Sequence, residues 1–136
     1  MKRTLLFALF MVVLSTPVLA QEAWNSVTLA WTSTGDDSLT GTASQYDIRY
    51  STSAITAVNF ASATRVTVGV PIPAVSGTNQ SAVIVGLTPL MTYWFAIKIA
   101  DEVPNWSMLS NVVSKTLPAT PDLSPPAAIT NLRASP

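Results

Sequence analysis

The chain has 136 residues, about half of them apolar, with seven basic and seven acidic residues, no histidine and no cysteine. The missing histidine and cysteine exclude a Ser-His-Asp triad, a Cys-His dyad, histidine- or thiolate-bound zinc, histidine-ligated haem and disulfides, so stability has to come from a packed core. The length suits one domain of ordinary size, and the balanced charge offers no basic stripe for phosphate, which argues against nucleic acid as a partner.

At the N-terminus, Lys2 and Arg3 precede an apolar run from Leu5 to Leu14, and Pro17 and Ala20 follow. A basic start, a short apolar middle and a small residue at the end describe a secretory signal peptide over residues 1–20, cleaved after Ala20. The run is shorter than the roughly 20 residues a spanning helix needs, so export takes precedence over anchoring, and no later stretch is apolar enough to cross a bilayer. Cleavage takes two of the seven basic residues and no acidic one, leaving a mildly acidic chain in the periplasm, on the cell surface or outside the cell. Export without cysteine is compatible with a bacterial origin.

Next, Val27, Leu29 and Trp31 alternate with Thr28 and Ala30, the period of a strand whose odd positions face a core. Residues 33–44 read as a polar loop containing Gly35, Asp36, Asp37 and Gly41. Tyr46, Ile48 and Tyr50 then alternate with Asp47, Arg49 and Ser51, a strand with one wet face. Residues 52–62 are small and mixed, with room for one helical turn within 57–63. Residues 65–70 read as a further short strand, and Pro71, Pro73 and Gly77 mark a connection that its prolines keep out of any central ladder.

Residues 81–116 hold the strongest pattern, three successive strands. Ala82, Ile84 and Leu87 form one apolar set, Pro89 punctuates the turn, and Tyr93, Phe95, Ile97 and Ile99 recur at every second position. A polar loop with Pro104 and Asn105 precedes the third run, residues 110–116. A strand pair joined across Leu87-x-Pro89, with Tyr93 near the start of the second strand, fits the tyrosine corner of sandwich folds, where the phenol bonds back to the chain. Short strands separated by turn residues indicate an all-β antiparallel sandwich of two sheets.

Taken in order, Leu29-x-Trp31, Tyr46-x-Ile48-x-Tyr50, Gly86-Leu87-x-Pro89, Tyr93-x-Phe95-x-Ile97 and Ser110-Asn111-x-Val113 resemble a fibronectin type III domain, an immunoglobulin-like sandwich. The match covers residues 25–117, and the domain is expected over 21–117. Gly35-Asp36-Asp37, Gly41-Thr42-Ala43, the segment from Tyr46 to Thr52 and residues 101–107 look like a variant common in exported bacterial multidomain proteins. Met91 departs from the threonine the family often places there. A second departure is that signal cleavage leaves few residues ahead of Val27, where the family has an opening strand rich in proline and apolar residues. Pro125-Pro126-Ala127-Ala128-Ile129-Thr130-Asn131-Leu132 looks like that opening strand. The preferred reading makes residues 118–124 a linker and 125–136 the start of a second, truncated module. The competing reading lets this tail add to the unfilled sheet edge of another copy.

Glycine patterns that cradle phosphate are absent, since no lysine follows Gly35 or Gly41. Acid/base hydrolysis of a sugar needs two carboxylates facing across a cleft, and a small sandwich offers no evident one. The resemblance implies that the loop with Asp36 and Asp37 and the loop with Asp101 and Glu102 emerge at the same end, where four carboxylates are a candidate calcium site. Against it, Asp36 and Asp37 suit a turn and Asp101 a strand-end cap, and the absence of a spaced ligand loop favours these structural roles. Trp94, between Tyr93 and Phe95, points out of the core, and pairing with the strand of Asp47 and Arg49 would stack Arg49 on it. Arg49, Trp94 and Trp106 are the candidate binding surface for a protein or glycan; the plainer readings are a cross-strand surface pair and, for Trp106, a plug of the loop against the sandwich end. Trp31, Tyr46, Leu87, Pro89 and Tyr93 are the expected structural residues.

The expected function is that of a non-catalytic exported module without a cofactor, a spacer or protein- or glycan-binding element among neighbouring domains of a larger surface or secreted protein. The alternatives are the N-terminal accessory part of an exported peptidase or glycosidase, and a self-assembling protein that exchanges strands through residues 125–134.

Overall fold

A computed structural model describes residues 23–130 and 132–134; the expected signal peptide, residues 1–20, lies outside them. The elements in chain order are β1 (Ser26–Thr32), β2 (Gln45–Ser51), a single 3-10 turn (Phe60–Ser62), β3 (Thr64–Arg65), β4 (Asn79–Val85), β5 (Thr92–Ala100) and β6 (Val113–Thr116). Among the described residues every pairing is antiparallel, and the strands make two sheets, β1-β4 and β3-β2-β5-β6. The expected all-β sandwich is therefore present. Among the described residues no helix is long and apolar enough to cross a membrane.

Alternation explains how the layers meet. β2 buries Tyr46 and Ile48, β4 buries Ala82 and Ile84, and β5 buries Tyr93 and Phe95, while Val27, Leu29 and Trp31 of β1 pack against them. Leu87, Leu117 and Val66 close this core. Its aromatic rings meet edge to face, Trp31 with Tyr46 at 5.2 Å and Tyr50 with Tyr93 at 5.8 Å, the arrangement that ring quadrupoles favour. At the corner between β4 and β5, Gly86 takes a left-handed φ of 76° and Leu87 donates its N–H to Asn25, 3.0 Å away. Five residues after Thr88, the Tyr93 phenol accepts the Thr88 N–H at 3.1 Å, so the expected corner is formed.

Two sequence expectations need correction. The outer face of β2 is not wet: Asp47 is buried, because residues 52–63 fold back over β2 and β5 and bury Ile55 and Phe60 against Ala96. The strand expected over residues 65–70 shrinks to β3. Val66 still donates its N–H to Ile48, but Gly69, with a φ of 76°, turns the chain out of the ladder. The helical turn expected within residues 57–63 is the 3-10 turn. The described residues of the tail beyond Leu117 carry no helix or strand and are almost all exposed.

Candidate functional site

Three connections gather at one end of the sandwich: residues 33–44 between β1 and β2, residues 72–78 before β4, and residues 101–112 between β5 and β6. Main-chain bonds tie the first two, Ser33 N–H to Thr78 at 2.8 Å, Gly77 N–H to Ser33 at 2.9 Å and Ser76 N–H to Gly41 at 3.0 Å. A buried polar knot lies beneath them. The Ser33 hydroxyl and Tyr46 phenol lie 2.8 Å apart, and each also reaches Gln80 Oε1 at 2.6 Å. That same oxygen accepts the Ala74 N–H at 3.0 Å, and Gln80 Nε2 donates to Ile72 at 2.7 Å. Gln80 therefore joins both sheets to a proline-rich connection. It escaped sequence reasoning because a glutamine in a strand gives no sign of which partners its amide will find.

The acidic residues singled out from the sequence do come to this end. Desolvation first, then the neighbouring Glu102 carboxyl, then weaker repulsion from Asp37 and Asp101, push the Asp36 carboxyl above its ordinary 3.8. One Asp36 oxygen, Oδ1, is buried without a hydrogen-bond partner. Asp101 is held below its ordinary 3.8, chiefly by the Asn105 N–H at 2.7 Å, then by the Asn105 side chain at 2.6 Å and the Val103 N–H at 3.0 Å. Asp101 thus organises its own loop, the role a strand-end aspartate was expected to have. Asp37 sits in a tight turn closed by its main-chain bonds with Thr40, at 3.2 and 3.3 Å. Among the described residues no group of three or more His, Cys, Asp or Glu side chains is placed to hold a metal ion.

Arg49 does not stack on Trp94. Cross-strand register sets Arg49 opposite Ala96 and Trp94 opposite Ser51, and the guanidinium is claimed elsewhere. Its Nε lies 3.0 and 3.1 Å from the two Asp47 oxygens, its Nη2 2.9 Å from Oδ2, its Nη1 donates to Ala61, and its carbon stands 5.1 Å over the Phe60 ring. Lys98 approaches the same ring at 5.3 Å, and Arg65 reaches Asp47 at 3.3 Å. Trp94 packs half-buried against the cluster of Ile55, Phe60 and Ala96, so it is a structural residue of the outer face. Trp106 stays 42% exposed on a main-chain bridge to Ala100, covering the sandwich end only in part.

A groove of about 730 Å³ runs beside β1, walled by Leu29 and Trp31 on one side and by Phe95, Ile97 and Val113 on the other. A hollow of about 400 Å³ extends it towards Ser26, sharing Leu29, Phe95 and Val113 as walls. Trp31 Nε1 is buried there without a hydrogen-bond partner. No family model, curated protein or solved structure matches the chain.

Proposed function

We propose that the chain is a non-catalytic, exported fibronectin type III module, probed by its partners through rigidly presented loops as a spacer or protein- or glycan-binding element of a larger surface or secreted protein. The observation that carries this reading is the bracing of two connections at one end of the sandwich by Ser33, Gln80 and the main-chain bonds of Gly77 and Ser76, beside a third connection that Asp101 fastens to itself. Braced loops bind at a low ordering cost, and binding residues concentrate on such segments. Leu39, Val75, Val103 and Trp106 are exposed across these loops and supply apolar contact area. The tyrosine corner and the antiparallel two-sheet architecture support the fibronectin type III reading.

The test is binding of the mature chain to arrays of glycans and of extracellular proteins, alongside a Leu39→Ser, Trp106→Ala double variant. The expected result is a ligand whose affinity falls at least about tenfold in the variant while its melting temperature holds, as loss of an apolar or aromatic contact predicts. Turnover of peptide, ester or glycoside reporters by the pure chain would overturn the reading.

A further inference from the structure

We propose that residues 125–134 of one copy add as a strand to the open edge of β1 in a second copy, so that the chain self-associates by exchanging its tail. Among the described residues β1 has a strand partner on one side only, β4. Beyond the end of β1, Ser33 exchanges main-chain bonds with Thr78 and Gly77 on the β4 side. Antiparallel alternation then turns the N–H and C=O groups of Thr28, Ala30 and Thr32 the other way, along the groove that these three residues help to line. An edge of this kind is a template for another chain. The groove beside it is apolar, walled by Leu29, Trp31, Phe95, Ile97 and Val113, and the buried Trp31 N–H is a donor that an entering carbonyl can satisfy.

The tail has the matching chemistry. Residues 123–132 are uncharged, and Ile129 and Leu132 stand 79% and 88% exposed. Direction selects a second copy over the chain's own groove. β6 ends at Thr116 opposite Thr92, and the hollow that includes Ser26 also includes Ser114, so the tail leaves at the end where β1 begins. Entering its own groove from there, it would run parallel to β1 in a sandwich whose described pairings are all antiparallel. To reverse, it would have to cross the sandwich and return, and Leu117, bonded to Met91 at 2.9 Å and followed by Pro118 and Pro121, stiffens that path. The tail of a second copy that stands in the same orientation beyond the Thr32 end of β1 enters antiparallel without reversal, so donation runs head to tail and the copies form an open chain.

Sedimentation equilibrium of the mature chain from micromolar to near-millimolar concentration tests this, with two variants. Ile129→Asp with Leu132→Asp spoils the tail outside the core. Ala30→Pro removes an outward N–H and leaves the β1-β4 ladder intact, which circular dichroism verifies. The weight-average mass of the native chain should climb past twice the monomer as concentration rises, each variant alone should stay monomeric, and their mixture should stop at a one-way heterodimer, intact tail in open groove. A native chain that stays monomeric at the highest concentration, including one whose own tail is protected from hydrogen exchange, overturns the proposal. So do assemblies that survive either variant.

Discussion

The Tyr93 phenol and the Thr88 amide are 3.1 Å apart, and this one bond ties the start of β5 to the turn that carries the chain across from β4. Tyr93 is buried while Thr88 is exposed, so removing the hydroxyl leaves a donor that water can partly satisfy. Tyr93→Phe should therefore cost about 1 kcal/mol, at the ordinary net worth of a hydrogen bond. Urea unfolding checks this: the midpoint falls and the slope stays constant.

Asp47 is buried and receives Arg49 in a fork as well as Arg65, whereas the Arg65 side chain is 51% exposed. Asp47→Ala strands the Arg49 guanidinium over Phe60 without its carboxylate and should cost about 3 kcal/mol. Arg65→Ala removes only the exposed partner and should cost less than about 1 kcal/mol. Equal losses in chemical denaturation would contradict this ranking.

Asp101 and Asp36 should act in opposite directions on the pH dependence of stability. Asp101, lowered by its loop bonds, contributes stability above the unfolded value near 3.8 that is lost as pH falls through its lower folded value. Asp36, raised by desolvation and Glu102, penalises the folded state above its folded value, and the penalty lifts as pH falls through it towards 3.8. Asp36→Asn should thus raise the melting temperature at neutral pH and Asp101→Asn should lower it. Both differences should shrink in melts recorded towards pH 3.

Gly35 has no room for a side chain, since a Cβ there would lie 1.8 Å from the Thr40 carbonyl oxygen. The obstacle is main chain and cannot swing aside, so Gly35→Ala should cost more than about 2 kcal/mol or open the loop. At Gly77 nothing lies near, but φ is 86°, so Gly77→Ala should cost only about 1 kcal/mol. Amide hydrogen exchange should report faster opening of residues 33–44 in the Gly35 variant alone.

Alternation of apolar residues was enough to place β1, β2, β4 and β5 and to identify the corner tyrosine, because a pleated strand writes its buried face into every second position. Local spacing also placed the self-capping of Asp101, whose partners lie within four residues. The tertiary structure alone decided what each face meets. That Asp47 is buried, that Arg49 turns to Phe60 and away from Trp94, and that Gln80 bonds Ser33, Tyr46, Ile72 and Ala74 all depend on connections folding back from elsewhere. The open edge of β1 belongs to the same class. A strand's sequence tells which side is apolar, but whether a neighbour completes its main-chain bonds is settled by the path of the rest of the chain.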